Sequence, residues 1–139
     1  MKTIPEIMMR DHTRIHNLIS RIELKLKNNL EEAQHLFIKL KWTIEKHFYV
    51  EEKVVFSIYS TNLENNHYLD TLLKEHKEIL FLLKKIDNNF NNSKSTLQKL
   101  KTILSAHAKY EDEIFYPKLE QELSKQEKQL IHDRCEKWE

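Results

Sequence analysis

The sequence predicts an all-α fold: an antiparallel up-down-up-down four-helix bundle with a short extra C-terminal helix. Three observations carry that prediction. The 139 residues include no glycine and only two prolines, Pro5 and Pro117, whereas sheet proteins use glycine for hairpin turns and bulges. Asparagine pairs stand at Asn28-Asn29, Asn65-Asn66, Asn88-Asn89 and Asn91-Asn92, spaced to join long helices by short turns, and asparagine tolerates the left-handed conformation in which many helices end. Between the pairs, apolar residues recur every three or four positions, the period of an amphipathic helix.

The first helix is expected from about Pro5 to Lys27, with Pro5 in the first turn, where a missing N–H leaves no bond unmade. Its apolar stripe is Ile4, Met8, Ile15, Ile19, Ile22 and Leu26, and His12 fills the one long gap. The second helix opens on Asn29 and Glu32, a variant of the capping box. Its stripe runs Ala33, Leu36/Phe37, Leu40, Ile44, then His47 and Glu51, then Val54/Val55 and Ile58. The third helix is expected to start between Thr61 and Asn66, with Leu69, Leu72, His76, Ile79, Leu83, Ile86 and Phe90 on its stripe. The fourth follows Ser93 to Ser95 with Leu97, Leu100, Leu104, His107, Glu111 and Ile114/Phe115. Pro117 is expected to end or kink it. Ser124 and Glu127 form a capping box for a last helix over about 125–138, ending near Trp138. Helices of about 25 residues with short connections imply antiparallel neighbours. No linker interrupts the chain, so a single domain is expected over 1–139, with the bundle at about 5–120.

The net charge is +1, from 23 basic and 22 acidic residues. That balance asks for neither nucleic acid nor an anionic membrane as a partner. Cys135 stands alone, so no internal disulfide is expected, and no signature around it suggests a nucleophile. The apolar N-terminal stretch is short and broken by Pro5 and Glu6, unlike a signal peptide. No run approaches the ~20 apolar residues of a membrane span. The expectation is a cytoplasmic protein.

The informative residues are polar ones on the wrong face. His12, His47, Glu51, His76, His107 and Glu111 occupy core-stripe positions in the middle of four helices. A buried carboxylate without a partner is costly, and it changes protonation or finds a cation. His47 and Glu51 are four residues apart and share one helix face, as do His107 and Glu111. Four imidazoles and two carboxylates converging from separate helices make a ligand set for divalent metal. Two divalent ions bring four positive charges, of which two glutamates and a bridging hydroxide would remove three. One residual charge is far easier to bury than four.

The chain also repeats itself. Arg10-Asp11-His12-Thr13-Arg14-Ile15 parallels Lys74-Glu75-His76-Lys77-Glu78-Ile79, offset by 64 residues. His47-Phe48-Tyr49-Val50-Glu51-Glu52 parallels His107-Ala108-Lys109-Tyr110-Glu111-Asp112, offset by 60, and Val55-Phe56-Ser57 parallels Phe115-Tyr116-Pro117. Two helix pairs related by a pseudo-twofold axis would place one metal in each half.

Asp-His in the first helix, His-x-x-x-Glu in the second, Glu-His in the third and His-x-x-x-Glu in the fourth resemble the hemerythrin family, in its bacterial branch of HHE cation-binding domains. The resemblance covers about residues 5–120. It implies a non-heme di-iron centre with carboxylate and oxo or hydroxo bridges. His12, His47, His76 and His107 would be terminal ligands, with Glu51 and Glu111 bridging. It further implies a protein that binds O2 or NO, or that senses or handles iron. The alternative is a di-iron oxidoreductase turning over peroxide or NO, or repairing iron–sulfur clusters. Oxygen-carrying hemerythrins have a further histidine one turn from the third-helix ligand, where this chain has Leu72 and Leu80. They also close the fourth helix with His-x-x-x-x-Asp rather than His107-x-x-x-Glu111. One iron would therefore have fewer protein ligands, closer to relatives linked with NO, iron sensing or iron–sulfur repair.

The remaining polar residues have plainer readings. His16, one turn after His12, is expected as a partly exposed neighbour of the site, and His35, His67 and His132 as surface residues. Asp11, Glu52, Glu75 and Asp112 are expected to be solvated or to accept the outer N–H of a ligating histidine. Tyr49 and Tyr110 are expected to pack. Met8, Ile15, Ile44, Phe48, Leu72, Ile79, Leu80 and Leu104 are expected to be core that walls the pocket. A ferritin-like site would need Glu-x-x-His pairs at mid-bundle. Glu32-x-x-His35 lies about 18 Å along the axis from His47, at 1.5 Å per residue, and Glu64-x-x-His67 lies near a turn, so these cannot meet.

Overall fold

In a computed structural model the chain is described over residues 3–59 and 66–137. Five helices are numbered here: α1 (Ile4–Leu26), α2 (Leu30–Val50), α3 (Asn66–Asn88), α4 (Lys94–Tyr110) and α5 (Lys125–Glu136). The described residues contain no strand. The expected start of the third helix at Thr61 to Asn65 and the expected end of the last at Trp138 lie outside the described residues.

Helix ends are set by the residues that cap them. Thr3 accepts from the N–H of Glu6 at 3.3 Å while Glu6 reaches back to the Thr3 N–H, a full capping box. Asn29 accepts from Glu32 at 3.1 Å, and Ser124 with Glu127 closes a second box. Each cap satisfies N–H groups that the first helical turn leaves unbonded. The asparagine pairs act differently from the expectation. No described residue has a positive φ, and Asn29 and Asn89 have φ of −153° and −149° at the position before the next helical segment. Asparagine here starts the next turn rather than ending the last one.

α1 packs on α2 and α4, and α3 packs on α2 and α4, closing a four-helix ring; α5 lies across one end against α1 and the turn after α2. The apolar core is in two parts. One, including Ile22, Phe37, Leu40, Ile86 and Leu100, fills the end nearest the α1–α2 and α3–α4 turns. The other, including Met8, Val55, Tyr59, Leu72, Phe115 and Ile131, fills the end that α5 covers. Burying one such large side chain is worth about 1.5–3 kcal/mol. The belt between the two clusters holds the six inward polar residues. Expectations about several flanking residues fail, Leu80 and His132 among them. Leu80 is 37% exposed rather than core, and His132 is buried because α5 folds back through Ile131 and Cys135.

Helix continuity after the glutamates also differs from the expectation. α2 runs through a wider π-helical turn, Glu51–Phe56, into Ser57–Tyr59, and α4 runs through the same kind of turn, Glu111–Phe115, into Tyr116–Glu122. The chain stays helical past Pro117, which sits at the start of the segment after the turn, where its missing N–H is tolerated. Proline is not the cause of the π turn, because Ser57 holds the related position in the other half. What the two turns share is the glutamate that opens each. π turns of this kind are frequent at functional sites. No described helix is long and apolar enough to cross a membrane.

Candidate metal centre

The bundle brings the six inward residues together at mid-length, one histidine per long helix and one glutamate at the head of each π turn. The side chains of His47, Glu51, His76, His107 and Glu111 are 3% exposed or less, and that of His12 is 9% exposed. They form two overlapping groups, each with one ligand atom per residue and all such atoms within 4.8 Å of one another. Glu51, His76, His107 and Glu111 make one group; His12, His47 and Glu111 make the other. Glu111 is common to both. Its Oε1 lies 3.1 Å from His12 Nε2 and 3.3 Å from His107 Nε2. Glu51 Oε1 lies 3.4 Å from His47 Nε2 and 3.1 Å from His76 Nε2. Each glutamate thus reaches one histidine from each half.

The outer nitrogen of every histidine is taken by a carboxylate from a neighbouring helix. His12 Nδ1 meets Asp112 at 3.0 Å, His47 Nδ1 meets Asp11 at 2.9 Å, His76 Nδ1 meets Glu52 at 3.1 Å and His107 Nδ1 meets Glu75 at 2.6 Å. An ionised carboxylate can only accept, so Nδ1 is the donor and Nε2 is turned inward. This is the arrangement by which outer carboxylates orient metal-ligating imidazoles. The four carboxylates are the residues beside the ligands in sequence. Asp11 and Glu75 precede His12 and His76; Glu52 and Asp112 follow Glu51 and Glu111. The pseudo-twofold relation holds in the geometry: the His12 and His47 rings are 5.0 Å apart at 66°, and the His76 and His107 rings 5.0 Å apart at 64°.

The fit to a cation rests on the inner atoms. His47 Nε2, His76 Nε2, His107 Nε2, Glu51 Oε1 and Glu111 Oε2 are buried without a hydrogen-bond partner. Several are close in pairs yet not aligned for a hydrogen bond. Buried polar atoms in folded proteins are almost always paired, so a cluster of orphans converging on one small volume marks a place where their lone pairs meet a third body. Their titration says the same. Burial alone would lower His12 and His107, but the facing carboxylates outweigh it and raise them to about 10 and about 9. His76 is raised in the same way, by Glu51. Burial would raise the Glu111 carboxyl, yet the close approach of Glu51, His107 and His12 holds it well below the ordinary carboxylate range. The belt is thus a place where positive charge is stabilised, by protons or by metal.

A profile of the hemerythrin HHE cation-binding domain matches residues 3–119. The chain belongs to the hemerythrin HHE family. No curated protein and no solved structure gives a significant match to it. The residues that carry the resemblance are those that the hemerythrin fold of this chain gathers in the belt, and the cation-binding character of the family agrees with the buried His/Glu cluster.

Two features of this hemerythrin-family site escape the periodicity argument. Tyr116, fully buried, donates its hydroxyl to Glu51 Oε2, and burial with the two nearby glutamates raises that phenol well above its ordinary value. Its repeat partner is Phe56, so an unequal pair in the repeat was the available signal. A cavity of about 260 Å³ between α1 and α4 reaches His12, His47 and His107, with exposed His16 at its edge. Tyr49, expected to pack, is half exposed, whereas Tyr110 lies against the α5-end core. A third grouping, His132 with Asp133 and Glu136, comes from α5 alone and has both carboxylates more than half exposed.

Proposed function

We propose that the belt holds two non-heme irons, with His12 and His47 on one, His76 and His107 on the other, and Glu51 and Glu111 between them, and that the protein binds a small diatomic ligand, O2 or NO, there. The observation that carries this reading is the set of five buried donor atoms without hydrogen-bond partners, contributed by three helices and two π turns. A ferrous pair, when bound, supplies electrons and an open coordination position. The chain's own residues do the rest. Asp112, Asp11, Glu52 and Glu75 fix the four rings with Nε2 inward. The ring of apolar side chains above and below excludes water, which strengthens charge interactions inside. The half containing His12 and His47 converges most tightly with Glu111, while Glu51 approaches it at His47 alone, at 3.4 Å, so it gathers fewer protein donors, and the cavity opens on that half. Both features favour ligand uptake at that side.

Binding is favoured over turnover because Asp112 is engaged by His12 and His16 stands exposed at the mouth of the cavity, which leaves no acid or base buried beside the centre apart from the proposed ligands, their partner carboxylates and Tyr116. The test is metal analysis together with optical spectra of anaerobically prepared protein, before and after air. Two irons per chain and new near-ultraviolet bands on oxidation are expected. Less than one metal per chain under every loading condition would sink the proposal.

A further inference from the structure

The pseudo-twofold axis relates the two side entrances of the bundle, and they differ. The α1–α4 cavity runs inward between Ile15, Ile19 and Leu104 to three histidines of the centre. The related groove between α2 and α3, about 550 Å³ in volume, is lined by Glu45, Tyr49, Glu52, Leu80 and their neighbours, and by no histidine. Phe48 closes it. The Phe48 ring lies flat on His76, with centroids 3.8 Å apart and planes 8° from parallel. The residue related to Phe48 by the repeat is Ala108, which lines the α1–α4 cavity. One aromatic ring against one methyl group therefore separates a sealed entrance from an open one. Mouth residues differ in the same sense: Leu80 in the sealed groove stands where His16 borders the open cavity.

Volume sets the size class. A water-sized ligand has a share of about 30 Å³, and an apolar cavity of about 150 Å³ takes benzene. Drug-sized ligands need about 300 Å³ or more. At about 260 Å³ the cavity exceeds what a diatomic needs and falls short of a drug-sized molecule. We propose that Ala108 makes the α1–α4 cavity the ligand entrance of the centre. The molecules it admits have one donor head and an apolar body no larger than a single six-membered ring, while Phe48 seals the opposite entrance. The head would face His12 and His47, and the body would lie against Ile15, Ile19 and Leu104. This rests on the metal-centre reading above for the head, and on the cavity alone for the body.

The test separates those two. Xenon NMR on the metal-free protein reads the cavity without metal, and optical titration of the iron-loaded, oxidised protein with azide and with phenol reads the ligand. In the wild type, a shifted xenon resonance and new visible bands with both probes are expected. Ala108→Phe, with melting temperature and metal content retained, is expected to lose the xenon shift and phenol binding and to slow azide association by about tenfold or more. Phe48→Ala removes the wall that cavity and groove share and is expected to enlarge the xenon-accessible space and to speed azide association. If Ala108→Phe does not fold, Ala108→Leu and Phe48→Ala decide the same question. Wild-type protein that binds azide but not phenol overturns the size class. An Ala108→Phe protein with unchanged xenon shift, or with unchanged azide and phenol binding, overturns the entrance. Protein that takes up no metal defeats the proposed function, and the xenon readings then decide on the entrance by themselves.

Discussion

The two halves of the centre share a skeleton and differ in what fills it. Around His76 the half is closed: Phe48 stacks on the ring at 3.8 Å and Phe56 lies behind it at 5.7 Å, nearly parallel. Four donor residues gather there. Around His12 and His47 the half is open: Ala108 replaces the stacked ring, a cavity reaches in, and three donor residues gather. Tyr116, in the place of Phe56, turns its hydroxyl to Glu51. Every histidine on both sides keeps an outer carboxylate, aspartate in the open half and glutamate in the closed one, and the ring angles are 66° and 64°. The repeat thus preserves what orients the histidines and varies what decides access, so symmetry of scaffold and asymmetry of function come from different residues.

The largest expected effect tests the unequal sharing of the glutamates. Glu111 belongs to both groups and Glu51 to one. Removing one member of a buried charge pair costs about 3–5 kcal/mol, because the other is left uncompensated. Glu111→Ala is therefore expected to lose metal from both halves. Glu51→Ala is expected to keep metal in the half built from His12, His47 and Glu111. Metal content after anaerobic loading reads this, and equal losses in the two variants would show that the halves share their carboxylates evenly.

A second comparison sets the metal-free protein against the loaded one across pH. In the metal-free protein His12 and His107 hold protons up to about pH 10 and about pH 9, against an ordinary 6.5. The unfolded chain releases those protons near 6.5. Their stabilisation is complete below that value and drains away as pH rises through the folded values. Glu111, held below its ordinary 4.5, acts in the opposite sense, and its contribution is lost as pH falls under 4.5. The metal-free protein is therefore expected to be most stable between these limits and to weaken toward pH 9. Metal displaces the same protons, so loading tightens as pH rises. Melting temperatures at about pH 6 and about pH 9, with and without iron, should slope in opposite directions. A metal-free protein that becomes more stable toward pH 9 would contradict the histidine–carboxylate pairing.

What was legible in the sequence follows from what periodicity encodes. A stripe tells which face of a helix is inward, so the four helices, the caps at Asn29 and Ser124, and the six inward residues could all be read. Periodicity does not tell how wide a turn is. Val54, Val55 and Phe56 are all buried in succession because the π turn widens the inward face, and an α-helical reading treats that run as ambiguous. Nor does a stripe reveal how a last helix folds back, which is why His132 reads as surface from its polar neighbours. Leu80 reads as core because it follows Ile79, yet it lies beside the sealed groove, where Phe48 already fills the space beneath. The outer carboxylates were legible as a class, but their pairing across helices depends on the bundle's handedness and on which helices adjoin.

The smallest expected effect concerns the one hydroxyl that breaks the repeat. Tyr116→Phe keeps the ring beside His12, at 6.5 Å between centroids, and removes only the donor to Glu51 Oε2. Leaving a buried acceptor unsatisfied costs about 1–3 kcal/mol, so the metal-free variant should melt earlier by that amount in chemical denaturation. The reciprocal change, Phe56→Tyr, puts a hydroxyl on the ring that lies beside His76 and meets Phe115 edge-on at 5.6 Å. By the repeat its acceptor would be Glu111, whose Oε2 is buried without a hydrogen-bond partner, so the double exchange is expected to recover part of the loss. A double variant no more stable than Tyr116→Phe alone would mean that the hydroxyl matters for which glutamate it holds rather than for being present.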